Sequence, residues 1–183
     1  MSESADFHIR PVREDDNHAL LELSARLTIG AAPWRDPAGV AAAARGWIES
    51  SLASAHEDGH AMLVALLDGR VAGLVSLVER RHFTGEVDAY VGELITDEAL
   101  EGRGAGRALM AAAQQWAAGR GLSRIILDTG AHNHRARRFY ERFGFEEEQI
   151  CFSMAVGSLA ASVPGGAGPA ARRRRAYLSR CLT

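Results

Sequence analysis

Three glycines in five residues, Gly102-Arg103-Gly104-Ala105-Gly106, stand between an apolar segment and a helix-forming one, and they constrain the fold more than any other stretch. Tyr90-Val91-Gly92-Glu93-Leu94-Ile95-Thr96 comes before them and the alanine-rich run Ala108 to Ala118 comes after. Glycine admits backbone angles that a Cβ forbids and lets a ligand approach the main chain closely. The first N–H groups of the helix that follows have no intrahelical acceptor and carry the positive end of its dipole. Strand, glycine loop and helix therefore predict an α/β chain with an anion seat at the helix start, most often a phosphate seat. A ligand-free strand-to-helix turn is the plainer alternative.

Which phosphate is decided by other residues. A P-loop needs a Gly-Lys-Ser/Thr ending, and this chain has no lysine. The dinucleotide fingerprint fits in part: Gly104 and Gly106 lead into a helix, then Ile125-Ile126-Leu127 and the acid Asp128. Leu109 stands where its third glycine belongs, and the glycines lie several residues past the strand instead of directly after it.

The segment from Asn133 to Phe145 supplies a third reading. Asn133, Ala136, Phe139, Tyr140, Gly144 and Phe145 fall on the pattern Asn-x-x-Ala-x-x-Leu/Phe-Tyr-x-x-x-Gly-Phe. With the glycine loop, this resembles the GNAT superfamily of N-acetyltransferases, whose phosphate loop reads Arg/Gln-x-x-Gly-x-Gly/Ala. Here Gly104 and Gly106 match, but Glu101 replaces the usual Arg or Gln. The backbone cradle is unaffected, while Arg103 and Arg107 are left to supply side-chain charge near an acid. The resemblance runs roughly from Phe7 to Met154.

The resemblance implies an α/β (α+β) fold: a central mixed, largely antiparallel sheet flanked by helices, with a splayed parallel pair (Val87–Thr96 and Arg124–Asp128) that binds coenzyme A. It implies acetyl-CoA as donor, its pantetheine arm bonded near Leu94, Ile95 and Thr96. The pyrophosphate would rest on the amides of Arg103, Gly104, Ala105, Gly106 and Arg107. Asn133 would contact the cofactor, and Tyr140 would be the acid for the departing sulfur. Acetyl then passes directly to a primary amine. The plainer readings are a packed aromatic for Tyr140 and an ordinary helix N-cap for Asn133.

The general base is a reading of the residues themselves. Glu93 interrupts an apolar strand end, and a half-buried acid has its pKa raised toward a useful range. A solvent-facing strand acid is the alternative, and Glu86, Asp88, His82 or a water relay are the reserves. His132 and His134 lack a third ligand, so no metal is expected.

Charge narrows the partners. Five of the 21 basic residues (Arg172–Arg175 and Arg180) lie in the tail, which leaves 16 against 23 acids in residues 1–156, a balance of −7. An acidic body repels nucleic acid and favours a cationic acceptor. The expected acceptor is therefore the amine of a small molecule. A protein N-terminus or lysine, or a non-catalytic acyl-CoA-binding module, are the alternatives. A homodimer is left open. No apolar run reaches the ~20 residues needed to span a bilayer. The acidic, polar N-terminus is unlike a secretory signal, and the two cysteines form no disulfide framework, so a cytoplasmic protein is expected.

The organisation expected is one domain over 1–156 and a disordered Ala/Gly/Pro/Arg-rich tail over 157–183. Strands are predicted at Phe7–Val12, 61–67, 71–78, 87–96, Arg124–Asp128 and Gln149–Met154. Asp68-Gly69 marks a hairpin, and Asp36-Pro37 starts a helix that carries Val40, Ala44, Trp47, Ile48 and Leu52 on one side. Leucines at 20, 21, 23 and 27 predict an earlier helix, and a last one spans Arg135–Phe143, capped by Gly144.

Overall fold

A computed structural model describes residues 6–156. Five strands form one sheet in chain order: β1 (His8–Pro11), β2 (His60–Leu67), β3 (Arg70–Arg81), β4 (Val87–Thr96) and β5 (Ile125–Leu127). The first four pair antiparallel, and β5 runs parallel to β4. The helices are α1 (Asn17–Leu23), α2 (Pro37–Ser54), α3 (Ala105–Gly119) and α4 (His134–Phe143), with a 3₁₀ turn over Ser24–Thr28. A parallel neighbour needs a crossover, and the glycine loop with α3 is that crossover.

Helices cover both faces of the sheet. On one face Leu20 of α1 and Ile48 of α2 pack with Met62, Val64, Leu74 and Ile95. On the other, Leu109, Met110 and Ala113 of α3 pack with Val75, Leu77 and Val91, and Phe139 and Phe143 of α4 lie against them. Residues 72–77 of β3 are therefore all buried, the unbroken pattern of a strand covered on both sides rather than the alternation of a half-exposed one.

Local signals act where the sequence places them. Asp68 and Gly69 take φ values of 51° and 77°, the two positive angles of a type I′ hairpin. The Asp36 side chain accepts a hydrogen bond from the Gly39 N–H at 2.7 Å, with Pro37 as the first helical residue. On α2 the predicted apolar side is not continuous: Ala44 and Ile48 are buried, whereas Trp47 is 40% exposed.

One predicted strand does not form. Residues 149–154 have no ladder partner among the described residues, and Ile150, Phe152 and Met154 are exposed. Their alternation marks a face that a strand would bury, but a strand also needs a neighbour to complete its hydrogen bonds, and alternation does not name one. The chain divides into compact units at 1–145 and 146–183. The tail from residue 157 lies outside the described residues.

Candidate active site

The parallel pair opens where its ladder stops. Ala89, Tyr90 and Val91 pair with Ile125, Ile126 and Leu127, and β4 continues to Thr96 without β5 beside it. The cause lies on the opposite edge of β4. Val75 pairs with Leu94 and Leu77 with Val91, so Gly92 and Glu93 together face the single residue Ser76. This bulge bends and twists β4 at the point where β5 leaves it. Beyond it, the residues singled out for the pantetheine arm, Leu94, Ile95 and Thr96, form an edge of strand whose β5 side is unpaired among the described residues. An amide-bearing chain fits such an edge as an added strand does.

The far end of this slot meets the glycine loop. Gly104 precedes α3 with φ at 104° and offers no side chain to cap it. The first intrahelical bond of α3 is from Ala108 N to Gly104 O at 3.0 Å, so the amides of Ala105, Gly106 and Arg107 have no intrahelical acceptor. A Cβ built on Gly106 would lie 3.7 Å from Thr96 Cγ2 and 3.6 Å from the Phe139 ring, which brings the end of β4, the start of α3 and α4 to one place. Arg107 also lines a shallow pocket with Phe139, Arg142 and Phe143. Strand edge and orphan amides together fit a pantetheine arm that ends in a pyrophosphate.

Glu101 does not stand as a bare acid beside that seat. Its two carboxylate oxygens are bonded by Arg135 of α4 and by Arg26 of the Ser24–Thr28 turn. The Arg135 hydrogen bond, with help from Arg26, holds this carboxyl below the usual range. Arg26 also reaches Glu98 at 3.3 Å. The sequence reading left Arg103 and Arg107 as the balancing charges and missed this pair. Arg26 lies 75 residues before Glu101, and no motif links them.

Glu93 is more buried than its sequence context implies, at 6% exposure. Ser51 Oγ of α2 donates to Glu93 Oε2 at 2.8 Å, and Ser76 Oγ donates to the same oxygen. The Ser76 hydroxyl in turn accepts the Glu93 N–H at 2.9 Å, which ties the carboxyl to the bulge. Burial raises the pKa of Glu93, and the two serine hydrogen bonds oppose that rise. Gly92 protects the arrangement, because a Cβ there would come within 2.7 Å of Ser76 Oγ.

Next to Glu93 on the same sheet face is Tyr90. Its hydroxyl donates to Asp128 Oδ2 at 3.1 Å, and the Arg80 guanidinium lies 3.9 Å above its ring. Burial and the Asp128 carboxylate push Tyr90 up to about 12. Among the reserve bases, Asp88 is buried, while Glu86 lies in the exposed tip after β3, where Thr84 Oγ1 donates to it at 3.2 Å. His82 sits in the same tip against the Phe83 ring.

Tyr140 and Asn133 both lie on α4. The Tyr140 ring packs edge-on against Phe139 and Phe145, and burial pushes its hydroxyl up to about 12. Asn133 caps the helix by accepting the Ala136 N–H at 3.1 Å, and its own NH₂ donates to Ile29 O at 3.3 Å. The cap reading of Asn133 therefore holds in the structure, and its carbonyl oxygen keeps a second lone pair. Glu93 faces the α2 side of the sheet, and α4 packs on the α3 side. The two proton-handling candidates thus stand on opposite sides of the slot.

A family model described as the acetyltransferase (GNAT) family matches residues 20–145. An N-acetyltransferase of Methanocaldococcus jannaschii, itself uncharacterized, is 32% identical over 111 residues, covering 57% of this chain and 46% of the relative. The chain thus spans about half the length of the curated relative it matches. Two solved structures show the same fold. An N-acetyltransferase from Thermoplasma acidophilum, solved with coenzyme A, has a TM-score of 0.67 at 16% identity, over 80% of this chain and 93% of that one. An aminoglycoside N-acetyltransferase, also solved with CoA, has a TM-score of 0.60 at 19% identity, over 85% of this chain and 98% of that one.

Proposed function

This chain belongs to the acetyltransferase (GNAT) family, and from that premise we propose that it moves acetyl from acetyl-CoA directly to a primary amine of a small molecule. The observation that carries the reading is the bulge at Gly92–Glu93: it opens the slot between β4 and β5 and sets a buried carboxyl at the slot's head. Residues 1–156 are read as the catalytic domain.

Leu94, Ile95 and Thr96 would hold the pantetheine amides, and the amides of Gly104, Ala105, Gly106 and Arg107 the pyrophosphate; the Arg103 N–H, expected to join them, is instead given to Leu100 O at 3.3 Å. Asn133 would add a contact through the free lone pair of its capping oxygen. Acetyl-CoA, when bound, supplies an activated thioester. What the chain adds is position, which at best accounts for about 7–11 kcal/mol of a barrier.

Glu93 Oε2 takes the proton that the acceptor ammonium must lose before its nitrogen can attack. A carboxyl raised by burial is a better base than an exposed one, and the Ser51 and Ser76 hydroxyls steady the charge it carries while ionised. The new C–N bond would form as the C–S bond breaks, with the electron pair leaving on sulfur and the nitrogen's second proton passing to water. Tyr140 would offer its hydroxyl proton to that sulfur. Burial keeps this phenol protonated, as a donor must be. Tyr140 would thus be the acid for the departing sulfur and regain its proton through water.

The acidic body favours a cationic small-molecule acceptor over a protein N-terminus or lysine. Thiol release from acetyl-CoA, followed over a panel of small amines and of peptides, tests this. Turnover of small amines is the expected result, and activity confined to peptides would overturn the small-molecule assignment.

A further inference from the structure

We infer that Glu101 is a positioning residue for the coenzyme A slot: through Arg26 and Arg135 it fastens residues 24–34 as a strap across the gap between β4 and β5, and so slows exchange of the cofactor. The inference rests on the reading of that gap as the coenzyme A seat.

Where β4 and β5 part, a third segment bridges them. The Ser24–Thr28 turn lies against β4 on the face shared with α1 and α2, with Leu27 packed on the core there. Just beyond it, the same segment touches the chain that leaves β5. Ile29 O accepts the Asn133 NH₂ at 3.3 Å. Gly30 and Gly130 then meet main chain to main chain: a Cβ on Gly30 would lie 2.7 Å from Asn133 N, and one on Gly130 would lie 2.9 Å from Gly30 C. Gly30 also holds φ at 87°, so no other residue sits there without strain. Further on, the Trp34 ring stands edge-on to His132 at 6.1 Å.

Ions fasten the near end. Glu98 and Glu101 lie in the turn that joins β4 to the glycine loop. Arg26 donates to one oxygen of Glu101 and reaches Glu98 at 3.3 Å, while Arg135 of α4 donates to the other oxygen of Glu101. The Glu101 and Arg26 side chains are each 21% exposed. Their bond is therefore partly withdrawn from water, where a charge-assisted hydrogen bond outweighs an open surface pair. Only a carboxylate offers two charged oxygens to two guanidiniums. The Arg usual in the family's loop would repel both, and Gln has a single uncharged acceptor. The departure at Glu101 thus ties strap, phosphate loop and α4 to one point. A pantetheine arm along Leu94–Thr96 runs beneath a segment held on both sides of it, and it exchanges when the strap lifts.

Dissociation of coenzyme A by stopped-flow displacement tests this in two variants of opposite charge change. Glu101→Gln removes a negative charge beside the phosphate seat, and Arg26→Gln removes a positive one. Both unfasten the strap, so both should speed release by about tenfold, and the double variant should release no faster than either single one. Hydrogen exchange should quicken in peptides covering 24–34 in both. Arg120→Gln breaks a similar ion cluster, with Asp58 and Glu79, at the far end of α3 and should leave release unchanged. Release slowed by Glu101→Gln and quickened by Arg26→Gln would mean that charge at the seat acts alone, and would overturn the inference. So would release unchanged in both, or quickened equally by Arg120→Gln. Each of those outcomes leaves the coenzyme A seat standing, whereas no binding of coenzyme A by the natural chain would overturn both.

Discussion

The two sides of the β4–β5 slot are built from different materials. Toward α3 the site is main chain: an unpaired strand edge over Leu94–Thr96 and the orphan amides of Ala105, Gly106 and Arg107. Toward α2 it is side chain: Glu93 on β4, Ser76 on β3, Ser51 on α2, and Tyr90 bonded to Asp128 after β5. A main-chain seat accepts any ligand with the right backbone-like amides and phosphate. A side-chain seat is specific to the charges placed there. On the proposed function, the common donor and the particular acceptor would be served by separable parts of one fold.

Substitutions that strike one side alone would sharpen that separation, and effects that cross it would break it. The largest is expected from Glu93→Gln. Loss of a positioned base should lower kcat by about 10²–10⁴-fold, while coenzyme A affinity by calorimetry stays as it is. Tyr140→Phe comes next. It removes one hydrogen bond to a developing charge, worth about 1.5–3 kcal/mol, so stopped-time assays should register a fall of roughly 10- to 100-fold in kcat with the cofactor still bound. Gly104→Ala strikes the main-chain side. With φ at 104° an alanine is strained by about 1–2 kcal/mol, so the melting temperature should drop. If the strain is released by tilting the helix start, coenzyme A binding should weaken by about tenfold. Coenzyme A affinity lost in Glu93→Gln, or kept in full in Gly104→Ala, would break the comparison.

The same division explains what was legible in the sequence. Main-chain features announce themselves locally, because the residues that permit a backbone conformation are the residues that adopt it. Gly102 to Gly106, the Asp68-Gly69 turn and the Asp36-Pro37 helix start are of this kind. Asn133 to Phe145 was legible as a contiguous pattern, and the parallel pair followed from it. Glu93 stood out as an acid in an apolar strand. What holds it was not legible: Ser51 and Ser76 lie 42 and 17 residues away, and only folding brings them to one oxygen. The bulge hides for the same reason, since it is a mismatch between two strands that neither strand records alone. Glu101 looked like a defect in the phosphate loop until Arg26 and Arg135 appeared on either side of it. Alternation at residues 149–154 failed in the opposite way, by predicting a strand that has no neighbour to pair with among the described residues.

The charge state of Glu93 tests the central claim most directly. Its folded pKa is raised, so the charged form costs stability. Stability from this group is present below its unfolded pKa, near 4.5, and is lost as pH rises through the folded value. Glu93→Gln should therefore be more stable than the natural chain at neutral pH. Activity runs the other way, because a base must be ionised to act. The deciding measurement is the pH profile of kcat/KM for the natural chain beside Glu93→Gln. The account expects activity to rise with pH through a limb above the ordinary carboxylate range, and that limb to be missing from the variant's residual activity. The same limb in both proteins would assign it to another group and contradict Glu93 as the base.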